Sequence, residues 1–153
     1  MGVRHSGVAK YPLEGRERVR VRVLDVIDGD TVAVAVPPTV RGVLCCGDVE
    51  HLRVLLRLRG VDCPERRTAA GQAVKRYVES LVGGRARITT AKWDKFGGRV
   101  VGDVHLASGK TLSAHLLALG LAKPFDGRSA KTPWTEGELR EIVQRKQIFR
   151  ARK

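Results

Sequence analysis

Arg18-Val19-Arg20-Val21-Arg22-Val23-Leu24-Asp25-Val26-Ile27-Asp28-Gly29-Asp30-Thr31-Val32-Ala33-Val34-Ala35-Val36 is the stretch from which the fold is read. Arg18, Arg20 and Arg22 alternate with Val19, Val21 and Val23, the two-residue period of a half-buried strand. Val32, Val34 and Val36 resume the alternation beyond Asp28-Gly29-Asp30 until Pro37-Pro38 stops it. The segment is therefore a hairpin turning at Asp28-Gly29.

Working outward, Arg53 to Arg59 repeats the pattern, with Val54, Leu56 and Leu58 on one face, Arg53, Arg57 and Arg59 on the other, and Gly60 at the end. Ala69, Ala70, Ala73, Val74, Tyr77, Val78 and Leu81 recur at three- and four-residue intervals and predict an amphipathic helix closed by Gly83-Gly84. Arg85 to Thr90 and Arg99 to Leu106 alternate again and add two strands. Leu112, Leu116 and Leu119 mark a short helix ending at Gly120. Thr135-Glu136-Gly137-Glu138 is a capping box opening a last helix with Leu139, Ile142, Val143 and Phe149 turned inward.

The order is βββαββαα, a mixed α+β arrangement that a five-stranded OB barrel with three helices accommodates. Flanking it, residues 1–16 carry glycines and basic residues without periodicity and read as a flexible basic arm. Residues 37–52 read as an extended loop inside a single domain of residues 17–153, with no internal repeat.

Charge points to the partner. Among 153 residues, 29 are lysine or arginine and 16 aspartate or glutamate, a net charge of +13. That excess favours a polyanion, nucleic acid ahead of an anionic membrane. Abundant apolar residues interspersed with charge exclude a disordered or fibrous chain. No run of about eighteen apolar residues exists to span a membrane, and Met1 to Lys10 lacks the apolar centre of a secretory signal. The chain as given is expected in the cytoplasm, with export left open. Cys45, Cys46 and Cys63 make no even disulfide framework. Cys45, Cys46 and His51 lack the CxxC spacing and fourth ligand of a zinc site.

The chemistry concentrates in Arg57-Leu58-Arg59-Gly60-Val61-Asp62-Cys63-Pro64-Glu65. A guanidinium, a metal-type carboxylate and a second acid fall within nine residues. Phosphodiester hydrolysis uses those three types: a metal to neutralise phosphate, a planar fork to hold its oxygens, and a carboxylate to take a proton from water. Asp30 ends the first turn and Asp62 follows the third strand, so a barrel brings two hard-oxygen donors within reach of one cation. Singly, Asp28, Asp30 and Asp62 are equally turn formers, Arg57 a strand arginine and Glu65 a surface charge. Asp94-Lys95-Phe96-Gly97-Gly98-Arg99 supplies a hairpin turn and a second arginine.

Asp28-Gly29-Asp30-Thr31, Arg57 to Glu65, Asp94 to Arg99 and Gly120-Leu121-Ala122 together resemble the staphylococcal (micrococcal) nuclease family in order and approximate spacing, over roughly Val21 to Phe149. The resemblance implies an OB barrel with three helices and a calcium-dependent endonuclease leaving 3′-phosphate ends. It implies that Asp30, Asp62 and the backbone carbonyl of Cys63 bind Ca2+. Arg57 and Arg99 would bind and polarise phosphate, with Glu65 as general base or as the group that orients the attacking water.

This sequence departs from the family pattern at several points. Cys63 stands for the usual threonine, an extra glycine precedes Arg99, and Phe96 and Phe125 stand where tyrosines are typical. Lys95, Phe96 and Phe125 are the expected nucleic-acid contacts, the rings stacking without a phenol to hydrogen-bond phosphate. The expected partner is DNA and/or RNA, with no membrane and a monomeric chain. A catalytically silent OB module binding nucleic acid stays open as an alternative. So does a compacting basic protein using Arg140, Arg145, Lys146, Arg150, Arg152 and Lys153 of the C-terminal helix.

Overall fold

The hairpin at 18–36 is the start of a closed barrel. The computed structural model describes residues 13–37, 51–95 and 98–145. The expected arm up to residue 12, residues 38–50 of the expected loop with Cys45 and Cys46, Phe96, and the basic residues and Phe149 beyond Arg145 lie outside these. In chain order the elements are β1 (Val19–Asp28), β2 (Thr31–Val36), β3 (Leu52–Leu58), β4 (Val61–Asp62), α1 (Ala69–Leu81), β5 (Arg85–Trp93), β6 (Val100–His105), α2 (Leu112–Ala118), β7 (Lys123–Pro124) and α3 (Glu136–Gln144).

β1, β2, β3, β6 and β5 close into a ring in that order. All neighbours are antiparallel except β3 and β6, which run parallel. The barrel with three helices is thus the expected OB-like fold. β4 and β7 add a small antiparallel ladder that the alternation did not predict, because two residues are too short to display a period.

Two local readings are corrected. β1 begins at Val19 and not at Arg18, whose φ of 50° is left-handed and not extended. Register shifts between Val23 and Asp25 and between Val26 and Asp28 bend β1 into its turn. In α3, the capping box forms between Thr135 and Glu138 and Ile142 is buried, but Val143 is 45% exposed. Ile142 is buried and Leu139, three residues earlier, is partly buried against the core, while the position after Ile142 points to solvent.

Val21, Val32, Val34, Leu56, Ile88 and Val104 fill the barrel, and Val74 and Val78 of α1 close it, each contributing about 1.5–3 kcal/mol by burial. β2 is buried at all six positions. Its outward Ala33 and Ala35 are small and lie between larger cross-strand partners, Asp25 and Leu55 for one, Arg22 and Arg53 for the other. No helix among the described residues is long and apolar enough to cross a membrane.

Candidate active site

Barrel register brings the chemical residues together. Thr31 pairs with Arg57 across β2 and β3, which sets Asp30, one residue earlier, beside the end of β3. The backbone locks that meeting: Leu58 N–H donates to the Asp30 carbonyl at 2.8 Å. Gly60 turns the chain into β4 with φ of 76°, a left-handed value that glycine adopts freely, and Asp62 emerges at its end.

Gly29 sets the approach of the two loops. A Cβ there would lie 2.7 Å from Val74 Cγ1 and 2.9 Å from Cys63 Cβ, so only glycine lets the β1–β2 turn seat on α1 and Cys63. Seated so, Asp30 Oδ2 accepts from Cys63 N–H at 2.9 Å and Oδ1 from the Thr31 hydroxyl at 3.3 Å.

Arg57 bridges the carboxylates. Its Nη1 lies 3.3 Å from Asp30 Oδ2 and its Nη2 3.9 Å from Asp62 Oδ1, while Nη1 also donates to the Leu58 carbonyl at 3.1 Å. Asp30 and Asp62 are 8% and 6% exposed. Burial pushes the Asp30 carboxyl up to about 6; Arg57 opposes the shift, and neighbouring Asp28 adds to it. The Cys63 thiol, also buried, is raised first by burial and then by Asp30, with Asp28 and Asp62 adding and Arg57 opposing. Asp28, Asp30 and Asp62 thus all contribute negative charge at this spot.

That set suits a hard cation in kind. Carboxylate oxygens match calcium or magnesium, whereas a buried protonated thiol does not, so Cys63 would contribute only through its backbone. Among the described residues no group of three or more His, Cys, Asp and Glu side chains is arranged as a metal cage. A bound ion would therefore rest on Asp30, Asp62 and backbone or water oxygens.

Glu65 is exposed, past the buried Pro64, and its carbonyl accepts from Thr68 N–H at 2.9 Å and from the Thr68 hydroxyl at 2.8 Å where α1 starts. Arg99 is held on its own hairpin, Nε 2.8 Å from Asp94 Oδ2. Desolvation works against it, but the hydrogen bonds and charge of Arg99 hold the Asp94 carboxyl below its ordinary value. Lys95 is exposed on the same hairpin, and Phe96 falls outside the described residues. Phe125 extends the β4–β7 ladder, its N–H donating to the Gly60 carbonyl at 3.0 Å.

Lys131 is the residue that sequence reasoning missed. It lies in the loop before α3, 5.5 Å from the Phe125 ring centroid, and its Nζ is 2.6 Å from Asp62 Oδ1. No motif or period marks it; only the Lys-Thr-Pro sequence of residues 131–133, a basic residue close to a turn-forming proline, hinted at a fixed loop.

Residues 55–147, more than half of the chain, match the family model described as Staphylococcal nuclease homologue. The match begins inside β3 and covers Arg57, Asp62, Glu65 and Arg99, while Asp30 precedes it. Comparison with curated proteins finds no match.

Proposed function

This chain belongs to the staphylococcal nuclease homologue family, and on that premise we propose that it is a calcium-dependent nuclease hydrolysing phosphodiester bonds of DNA and/or RNA and leaving 3′-phosphate ends. The observation that carries the reading is the burial of Asp30 and Asp62 on either side of Arg57, with contacts of 3.3 and 3.9 Å. Burying carboxylates is costly, and a cluster of acids around one arginine at a barrel end is better suited to a ligand than to stability.

Asp30, Asp62 and the Cys63 carbonyl would hold the calcium, which when bound neutralises phosphate charge and supplies an oriented water. Arg57, fixed by two carboxylates and a carbonyl, presents a fork to phosphate without reorganising, so its help is greatest where charge accumulates in the transition state. Arg99, steadied by Asp94, serves the other side of the phosphate. Glu65, exposed and not engaged as an ion pair among the described residues, takes a proton from the attacking water as the bond to the 5′ oxygen breaks. Lys95, Phe96 and Phe125 would carry the neighbouring nucleotides.

One observation favours a second reading, a catalytically silent nucleic-acid-binding module. With Arg57 and Lys131 both on Asp62, the carboxylates already have cations. A digest of single-stranded DNA and RNA with calcium, repeated with chelator, separates the two. Cleavage that stops on chelation supports the nuclease, and binding without cleavage supports the module.

A further inference from the structure

Arg20 stands directly opposite Arg87, and Arg22 directly opposite Arg85, on the antiparallel β1–β5 ladder. Directly paired residues point to the same side of a sheet, and Val19, Val21 and Ile88 between them face the core, so the four guanidinium groups share the outer face. All four are exposed. None has an ion-pair partner among the described residues. Arg53 of β3 continues the Arg22 row across Ala35.

Like charges directly across a ladder destabilise it, and a merely solvated face has no need to place them so. The patch is also remote from the candidate active site. Arg22 pairs with Ala35 and Asp28 with Thr31, four residues apart along β2, about 13 Å at a strand's rise. Arg53 likewise lies at the start of β3, whereas Arg57 lies near its end.

The geometry points to a second nucleic-acid site on the outer β1–β5 face, gripping the phosphate backbone at the barrel end away from Asp30 and Asp62. The two arginine rows are two residues apart, about 6.6 Å, close to the rise of two base steps along a duplex axis at about 3.4 Å each. All four cations are arginines, whose planar forks pair with phosphate oxygens bidentately. The face carries no aromatic side chain in these rows, so contacts go to the backbone and are indifferent to sequence. Such a face would keep a long polymer on the protein between cleavages, a role that rests on the nuclease reading, whereas the binding itself does not.

The test compares the full chain with R20Q/R22Q/R85Q/R87Q and with the corresponding four-lysine variant. Binding of a 30-base-pair duplex in chelator is followed by anisotropy across salt concentrations. The glutamine variant is expected to lose about 3 to 4 from the slope of log affinity against log salt, at about 0.9 per phosphate contact, and at least about tenfold in affinity at low salt. The lysine variant should keep most of the slope. Melting temperature should hold or rise in the glutamine variant as the repulsion is relieved; if it does not fold, R85Q/R87Q should lose about half as much slope. An unchanged slope in folded variants overturns the site. So does loss of binding to phosphatidylserine vesicles while the duplex slope stays intact, which would make the face a lipid contact. Dinucleotide hydrolysis in calcium, measured in parallel, should be equal in all proteins. Its absence in all of them would defeat the nuclease reading while leaving the slope to decide this one.

Discussion

Lys131 Nζ lies 2.6 Å from Asp62 Oδ1, closer than Arg57, whose Nη2 is 3.9 Å from the same oxygen. Asp62 therefore takes its nearest cation from a loop far along the chain, with Phe125 beneath the same ammonium group at 5.5 Å. In a calcium-dependent enzyme that lysine competes with the metal for the carboxylate.

Lys131→Ala should consequently tighten calcium binding by about two- to fivefold, the worth of an exposed ion pair. Lys131 is 58% exposed at its side chain, so stability should hardly move. Calcium titration by calorimetry checks the first and thermal melting without calcium the second; weaker binding would mean that the lysine supports the site.

Arg57 and Glu65 should separate stability from rate. Arg57→Ala leaves Asp30 and Asp62 buried with less compensation, so urea denaturation should register a loss of about 3 kcal/mol and single-turnover cleavage a loss of at least about a hundredfold. Glu65→Gln, at an exposed position, should change stability by less than about 0.5 kcal/mol yet slow cleavage by about a hundredfold or more.

Gly71 in α1 packs against the turn that carries Glu65, and a Cβ there would overlap the Glu65 carbonyl. Alanine is ordinarily the better helix former by about 1 kcal/mol, yet Gly71→Ala should destabilise by about 1–3 kcal/mol and displace Glu65. Thermal melting combined with the cleavage rate reads both effects. A stabilised, fully active variant would contradict the packing.

Hydrogen bonding from Lys123 and from the Thr135 N–H holds the Glu138 carboxyl below its ordinary value. Because the folded value is the lower one, this contribution is fully present above the ordinary carboxyl range and is lost as pH falls through the folded value. Lys123 Nζ also sits 4.7 Å from the Trp134 ring centroid. Acid titration should therefore change Trp134 fluorescence below about pH 4.3, the ordinary glutamate value, and Glu138→Gln should abolish that step.

The barrel was legible because its strands are long enough to show a two-residue period, as in Val19 to Val23, and because Thr135 and Glu138 announce a helix start. The candidate site was legible only in parts. Arg57 and Asp62 are close in sequence, but their meeting with Asp30 depends on the Thr31–Arg57 register, which no local pattern states. The fit of Gly29 on Cys63 and the reach of Lys131 to Asp62 are contacts between distant segments. The opposed arginines of β1 and β5 were visible as two separate alternations, and only the closed ring set them face to face.

The most direct measurement is a digest of single-stranded DNA and of RNA by the purified chain in calcium, with product ends identified by mass and a parallel sample in chelator. Products ending in 3′-phosphate, formed with calcium and absent in chelator, are the expected result. Equal cleavage in chelator, or binding of both polymers with no cleavage in calcium, would contradict the calcium-dependent nuclease.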